Sequence, residues 1–342
     1  MRYENDSEKP YAFVPFHSQS PSREKPAGQA TINREQFTGW LELELKTLTP
    51  VHVASGRLDF VRAAGEESLA ALQVTNPTRD QAGAPRRVGV IPGASFKGTV
   101  RSLLEAISPS CLRLAGRNSR PHVPSRLNPC NNASALCPAC RLFGAQNYQG
   151  QLSFEDALIP PGSLVLVGSP LLWTPARSNR GLPPRYLNQR GEAIGRKFYF
   201  HARRAEGADL RVAIRTGTRI STRVHFLNLS KAELGLLLAA LGLHPQYPFP
   251  IKLGGGKPAG LGSVKIELKT VHLMQGSSSV RHRGRLGGQT SLLQGEELDR
   301  HINEWVNQAE RDEVLLTTLL EELAQILEES GLEHNQAPAD PY

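Results

Sequence analysis

The sequence predicts an α+β fold: a ferredoxin-like βαββαβ domain with long insertions, a zinc knuckle and a helical C-terminal tail. Three observations predict the framework. "WLELELKTL" (40–48) alternates apolar and polar residues, the period of a half-buried strand. Phe96, Val100, Leu103, Leu104 and Ile107 recur at helical spacing over 94–107. "SKAELGLLLAALGL" (230–243) opens with Ser230 and Glu233, the spacing of a capping box, and is followed by "LGGGKPAGLGSVKIELKTV" (253–271), a glycine loop feeding a strand.

Taken in chain order, residues 1–38 are polar and rich in Pro, Ser and Gly apart from "YAFVPF", and read as an extended arm. The βαββαβ domain spans 39–275. Its first strand is followed at 54–90 by Gly, Arg, Asp and Pro without a clear period, which reads as a long loop. After the first helix, 108–145 is irregular and holds all four cysteines. "QLSFEDALI" (151–159), "SLVLVGSPLLW" (163–173) and "TRISTRVHFLNL" (218–229) read as strands. Between them, 174–204 is a basic insertion with Arg177, Arg180, Arg185, Arg190, Arg196, Lys197, Arg203 and Arg204 against Glu192 alone among the acids before Glu206. A basic, Gly-rich linker (276–290) leads to an acidic helical tail (291–333). There Leu316, Leu319, Leu320, Leu323, Ile326 and Leu327 make one apolar stripe, expected to pack on the tail's own domain.

The 342 residues carry a formal net charge of +8, which favours an anionic partner such as nucleic acid. No apolar run approaches membrane-spanning length, and the N-terminus lacks the apolar core of a signal peptide, so a cytoplasmic protein without a membrane partner is expected. In that compartment four cysteines are thiols or metal ligands rather than disulfides. Cys137-x-x-Cys140 has the spacing of a metal knuckle, with Cys111 and Cys130 upstream. A structural Zn²⁺ on these four is expected, with His122 as the alternative to Cys111.

Anion recognition is expected at two elements. "VIPGASFKGTVRSLLEAI" (90–107) starts a helix, whose unpaired N–H groups and partial positive charge receive phosphate. Ser95 lies in the first turn, and Lys97 and Arg101 share a face away from the apolar stripe. "GGGKPAGLG" (254–262) offers Gly254, Gly255 and Gly256 for close backbone approach, plus Lys257. It is not a P-loop, because no Lys-Ser/Thr pair follows its last glycine. Together with Arg196 and Lys197 these residues read as an RNA-backbone groove. Aromatics are only 6% of the chain, so phosphate contacts are expected to outweigh base stacking. Asp59 in "HVASGRLDFVR" (52–62) is a carboxylate that can bind a divalent ion or activate an RNA 2′-hydroxyl; Glu66, Glu67 and Asp80 are weaker candidates.

"TPVHVASG", "IPGASFKGTVRSLLE", "CPACRLFG" and "LGGGKPAGLGSVKI", collinear over roughly 40–270, resemble the RAMP superfamily of CRISPR-associated proteins. "FVPF", "FTGWLELELKTLTPVHVASG" and "GRKFYFH" resemble a subgroup of type III systems. The resemblance implies a modified RRM-like fold and a backbone subunit of an RNA-guided antiviral effector complex, with guide RNA, target RNA and neighbouring subunits as partners. It places Ser95, Lys97 and Arg101 in the first-helix motif and Gly254–Gly262 in the glycine-rich loop. It puts Asp59, by region rather than by register, in a loop that cuts target RNA with Mg²⁺ or Mn²⁺. Two other functions compete. One is an endoribonuclease that trims guide precursors through His52 or His201. The other is an assembly protein that docks a partner on its tail and touches little RNA.

Overall fold

The computed structural model describes residues 9–63, 65–79, 83–113, 115, 119–172, 182–274 and 291–339. Before the first helix come β1 (Tyr11–Pro15), β2 (Phe37–Thr47), β3 (Ala54–Ala63), β4 (Glu66–Gln73), β5 (Thr75–Arg79) and β6 (Pro85–Ile91). The helix α1 (Gly93–Ala106) leads into the cysteine region, which ends in α2 (Pro138–Phe143). Then follow β7 (Leu152–Phe154), β8 (Ala157–Leu158), β9 (Leu164–Ser169), β10 (Gly195–Tyr199), β11 (Asp209–Ile214), β12 (Arg219–Leu229), α3 (Lys231–Ala240), β13 (Ile251–Lys252) and β14 (Ser263–Leu273). The tail holds β15 (Ser291–Leu293), α4 (Gly295–Arg311), α5 (Thr317–Ile326) and α6 (Gly331–His334).

The main sheet runs β13-β14-β2-β12-β7, with β15 added on β14 and every pairing antiparallel. Its centre is β2, whose alternation separates two faces. Leu41, Leu43 and Leu45 are buried under α1 and α3 in one core. Glu42 and Glu44 face the other way, where they pair with Arg223 and Arg219 of β12. The helix α3 starts at the expected capping box: Ser230 Oγ accepts from Glu233 N, and the Glu233 carboxylate accepts from Ser230 N.

The 54–90 segment is not a loop. It forms β3 to β6: β3 and β4 are a hairpin in a sheet ordered β3-β4-β11-β9, and β5 and β6 are a second hairpin joined to β8. The sequence hides the β3–β4 hairpin because its large apolar residues face outward. Leu58, Phe60 and Leu69 are 66%, 67% and 52% exposed, so hydrogen-bond pairing rather than burial sets the conformation. The expected strand at 163–173 is shorter, ending at Ser169. The basic insertion contributes β10, which pairs with β1 and so ties down the N-terminal arm. Arg177 and Arg180, Asp80 and the linker 276–290 lie outside the described residues.

The tail packs on its own domain. Trp305 of α4 is fully buried against α3, and a Cβ on Gly235 would lie 2.0 Å from Trp305 O. Leu319, Leu320, Leu323 and Leu327 are buried, and Leu316 N donates to Ile107 O at the end of α1. Past α6, Asn335 and Ala337 pair through their backbones with Arg203, so the tail also straps the segment after β10. Gly235→Ala tests this docking. The added methyl meets backbone, which cannot rotate away, and should cost about 1–3 kcal/mol in urea unfolding. Wild-type stability would mean that α4 does not lie on α3 at this distance.

Candidate nucleic-acid interface and metal centre

The four cysteine sulfurs lie within 4.8 Å of one another, and all four residues are buried. Cys111 and Cys140 are 3.5 Å apart, and Cys137 and Cys111 3.6 Å. A tetrahedral ion with bonds of about 2.3 Å needs sulfurs about 3.8 Å apart, so the set can hold a metal such as zinc. Backbone N–H groups point at the sulfurs, Cys111 N at Cys137 Sγ and Cys137 N at Cys130 Sγ, each 3.4 Å. The alternative ligand is excluded on position: His122 Nδ1 sits 2.8 Å from Gly191 O, and His122 is not in the cluster.

The mouth of α1 does not wait for phosphate. Gly93 N donates to Asp156 Oδ1 at 2.7 Å, so a carboxylate from the turn between β7 and β8 already caps it. Gly93 is needed for packing, since a Cβ there would lie 2.1 Å from Phe154 O. Lys97 turns to the β7 edge, where Nζ donates to Leu152 O at 2.7 Å and burial, with Arg101 nearby, lowers its pKa. Arg101 is 8% exposed. It pairs with Glu105 at 2.7 Å, donates to Gly144 O and lies 3.6 Å from Cys140 Sγ. That cation offsets the charge a thiolate cluster accumulates. Arg196 is consumed in the same way, by Glu105 and Ser102 Oγ. These three cations therefore leave the expected groove.

Four of the remaining candidates, Ser95, Lys197, Gly254 and Lys257, converge. A cavity of about 420 Å³ is lined by Ser95, Thr99 and Ser102 from one side of α1, Lys197 and Tyr199 of β10, Lys252 of β13, Gly254, Lys257, and Leu327 from the end of α5. No carboxylate lines it, and none of its lysines has an acidic partner among the described residues. Lys197 Nζ lies 4.5 Å from the ring centre of Tyr11 and 4.8 Å from that of Tyr199, held by cation–π attraction. Burial lowers the Lys257 pKa. Lys252 is 6% exposed, and burial together with Lys257 pulls it down to about 7. Lys252 and Tyr199 carry no sequence signal of this role, since they read as ordinary strand residues.

The glycine loop is shaped by its neighbours. Gly255 N donates to His52 O and Gly262 N to Pro50 O, so two expected phosphate donors serve the fold instead. Gly254 has φ +83°, and a Cβ there would lie 2.4 Å from His52 O. The "TPVH" segment thus moulds the loop and turns Lys257 into the cavity.

Residues 44–265 match the family model of the RAMP superfamily, a span from within β2 to the start of β14 that includes the cysteines and the cavity. The chain belongs to the RAMP superfamily. No curated protein matches it. RAMP membership makes it a CRISPR-associated protein, and the family suggests an RNA-binding subunit. No helix among the described residues is long and apolar enough to cross a membrane.

The acid–base candidates of this RAMP chain stay apart from the cavity. Asp59 is exposed on β3 opposite Ala70, with its carboxylate accepting from Phe60 N, and it joins no acidic or metal-ligating cluster among the described residues. His52 is 1% exposed with Nδ1 2.8 Å from Val212 O, and burial lowers its pKa. His201 is fully buried between Ser263 Oγ and Pro250 O; burial and Lys252 push it down to about 3. Both histidines hold the fold and cannot reach a substrate. For the cysteines, metal analysis of the purified RAMP protein should return about one thiol-bound divalent ion per chain. Cys140→Ser should lose it and lower the melting temperature, while His122→Ala keeps it. Full occupancy in Cys140→Ser would exclude this ligand set.

Proposed function

We propose that this RAMP protein is a guide-RNA-binding backbone subunit of a type III effector complex, gripping phosphates in the cavity between α1, β10 and the glycine loop. The observation that carries the reading is one cavity lined by Lys197, Lys252 and Lys257 and by no carboxylate. Burying unpaired ammonium groups is costly, and an anion is what offsets it. Ser95 and Ser102 add hydroxyl donors on the facing side, where the Thr99 hydroxyl donates to Ser95 O, and Tyr199 adds a ring to the lining. Backbone phosphates match that donor set, and they impose no sequence, as a guide-binding subunit requires.

The same reading extends to the fold. Among the core strands, β14 lies beside β2, β2 beside β12, and β12 beside β7, with α1 after the first and α3 after the third. That order supports a ferredoxin-like, RRM-like domain. Zinc at the four cysteines would staple the region beside α1, and Arg101 would link that staple to the helix that lines the cavity. Asp59 is solvated and belongs to no group of three or more candidate metal ligands among the described residues, so the reading includes no Mg²⁺- or Mn²⁺-dependent target cleavage.

Binding of single-stranded RNA in a gel-shift titration tests the cavity. Lys257→Gln should weaken affinity on the order of tenfold at low salt and reduce the slope of log K against log salt by about 0.7. Lys97→Gln should bind as wild type, because that ammonium faces Leu152 O. Unchanged affinity in Lys257→Gln, or a larger loss in Lys97→Gln, would move the RNA to the β7 side of α1.

A further inference from the structure

Lys252 poses a problem that the RNA reading does not by itself solve. It sits on the two-residue strand β13, paired with Ser263, and its Nζ lies 3.2 Å from Leu261 O. The charged and titratable groups around it can be followed element by element. The glycine loop brings Lys257, and β10 brings Lys197 and Tyr199, all lining the same cavity. The segment after β10 brings His201, neutral because it is driven to about 3. Arg204 of that segment turns away to Gly168 O and Glu206. From α1 come the hydroxyls of Ser95, Thr99 and Ser102, and from the tail Leu327. Nothing negative faces Lys252 among the described residues, and two further ammonium groups share its cavity.

Resting on the RNA reading, we infer that Lys252 is a further phosphate ligand, an amine largely neutral above pH 7 in the free protein and an ammonium in the RNA complex, so that binding RNA at alkaline pH loads up to one proton onto the chain. The physical reasons are burial and like charge. An ammonium with no water shell and a cation beside it gives up its proton readily, and a phosphate reverses both terms at once. Its pKa of about 7 in the free chain fits this. The sign follows from linkage. The complex holds the proton that the free chain has lost, so affinity falls as pH rises above the free-state value. The proton comes from solvent, and the phosphodiester is unchanged. Lys252 thereby makes the grip of this cavity depend on pH within the cellular range.

Calorimetric titration of the full chain with a short oligouridylate, in two buffers of different ionisation enthalpy, counts the protons directly. With a free-state value of about 7, uptake near pH 8 should be about 0.9 proton per RNA, and affinity should fall on the order of tenfold between about pH 6.5 and pH 8. Lys252→Met keeps the buried aliphatic volume and should bind more weakly at the lower pH, with no uptake and a flat profile. The wild-type count stands alone if that variant fails to fold. RNA binding without proton uptake overturns the inference and leaves the RNA cavity intact. Equal uptake in wild type and Lys252→Met overturns it by assigning the proton elsewhere. Absence of RNA binding at either pH removes the RNA reading, and the inference falls with it.

Discussion

The molecule is organised around three lysines that share one cavity with no carboxylate in its lining among the described residues. The buried arginines are paired with acids. Glu105 takes both Arg101 and Arg196, Glu233 takes Arg141, and Glu42 and Glu44 take the arginines of β12. Lys197, Lys252 and Lys257 have no acidic partner among the described residues. Unneutralised buried charge is unfavourable for folding, and it persists where binding an anion recovers the loss.

Four remote parts of the sequence keep those groups in place. The "TPVH" segment moulds the glycine loop through His52 O and Pro50 O. The N-terminal β1 supplies Tyr11 to the ring of tyrosines around Lys197. The tail contributes Leu327 and straps the segment after β10 through Asn335 and Ala337. The cysteine cluster sets α1 through Arg101, which touches Cys140 on one side and Glu105 on its own helix. The acidic tail therefore belongs to the architecture of the site, and an assembly role that needs its apolar stripe free has no surface to use, because Leu319, Leu320 and Leu323 are buried.

The legible parts of the sequence were those whose period is enforced by burial. The strands β2, β12 and β14 and the helices α1 and α3 announced themselves because one face of each meets the core, and the capping box at Ser230 and Glu233 formed as read. The cysteine cluster was legible because metal geometry constrains spacing. The strands β3 and β4 were not, because Leu58, Phe60 and Leu69 face solvent. Of the residues expected in the groove, Ser95, Lys197, Gly254 and Lys257 line one cavity, while Lys97, Arg101 and Arg196 engage Leu152 O and Glu105. Helical spacing says which residues share a face. It does not say that the cysteine region and β7 cover that face, or that Asp156 arrives from 63 residues away to cap the helix. Lys252 was invisible for the same reason: its meaning lies in what surrounds it.

The most direct measurement of the central claim is an experimental structure of the chain with a short single-stranded RNA. The account predicts a phosphate in the cavity, with oxygens about 2.7–3.2 Å from the Nζ atoms of Lys252 and Lys257 and the helix hydroxyls on its far side. RNA tracking along another face, with those two lysines out of reach of any phosphate oxygen, would contradict it.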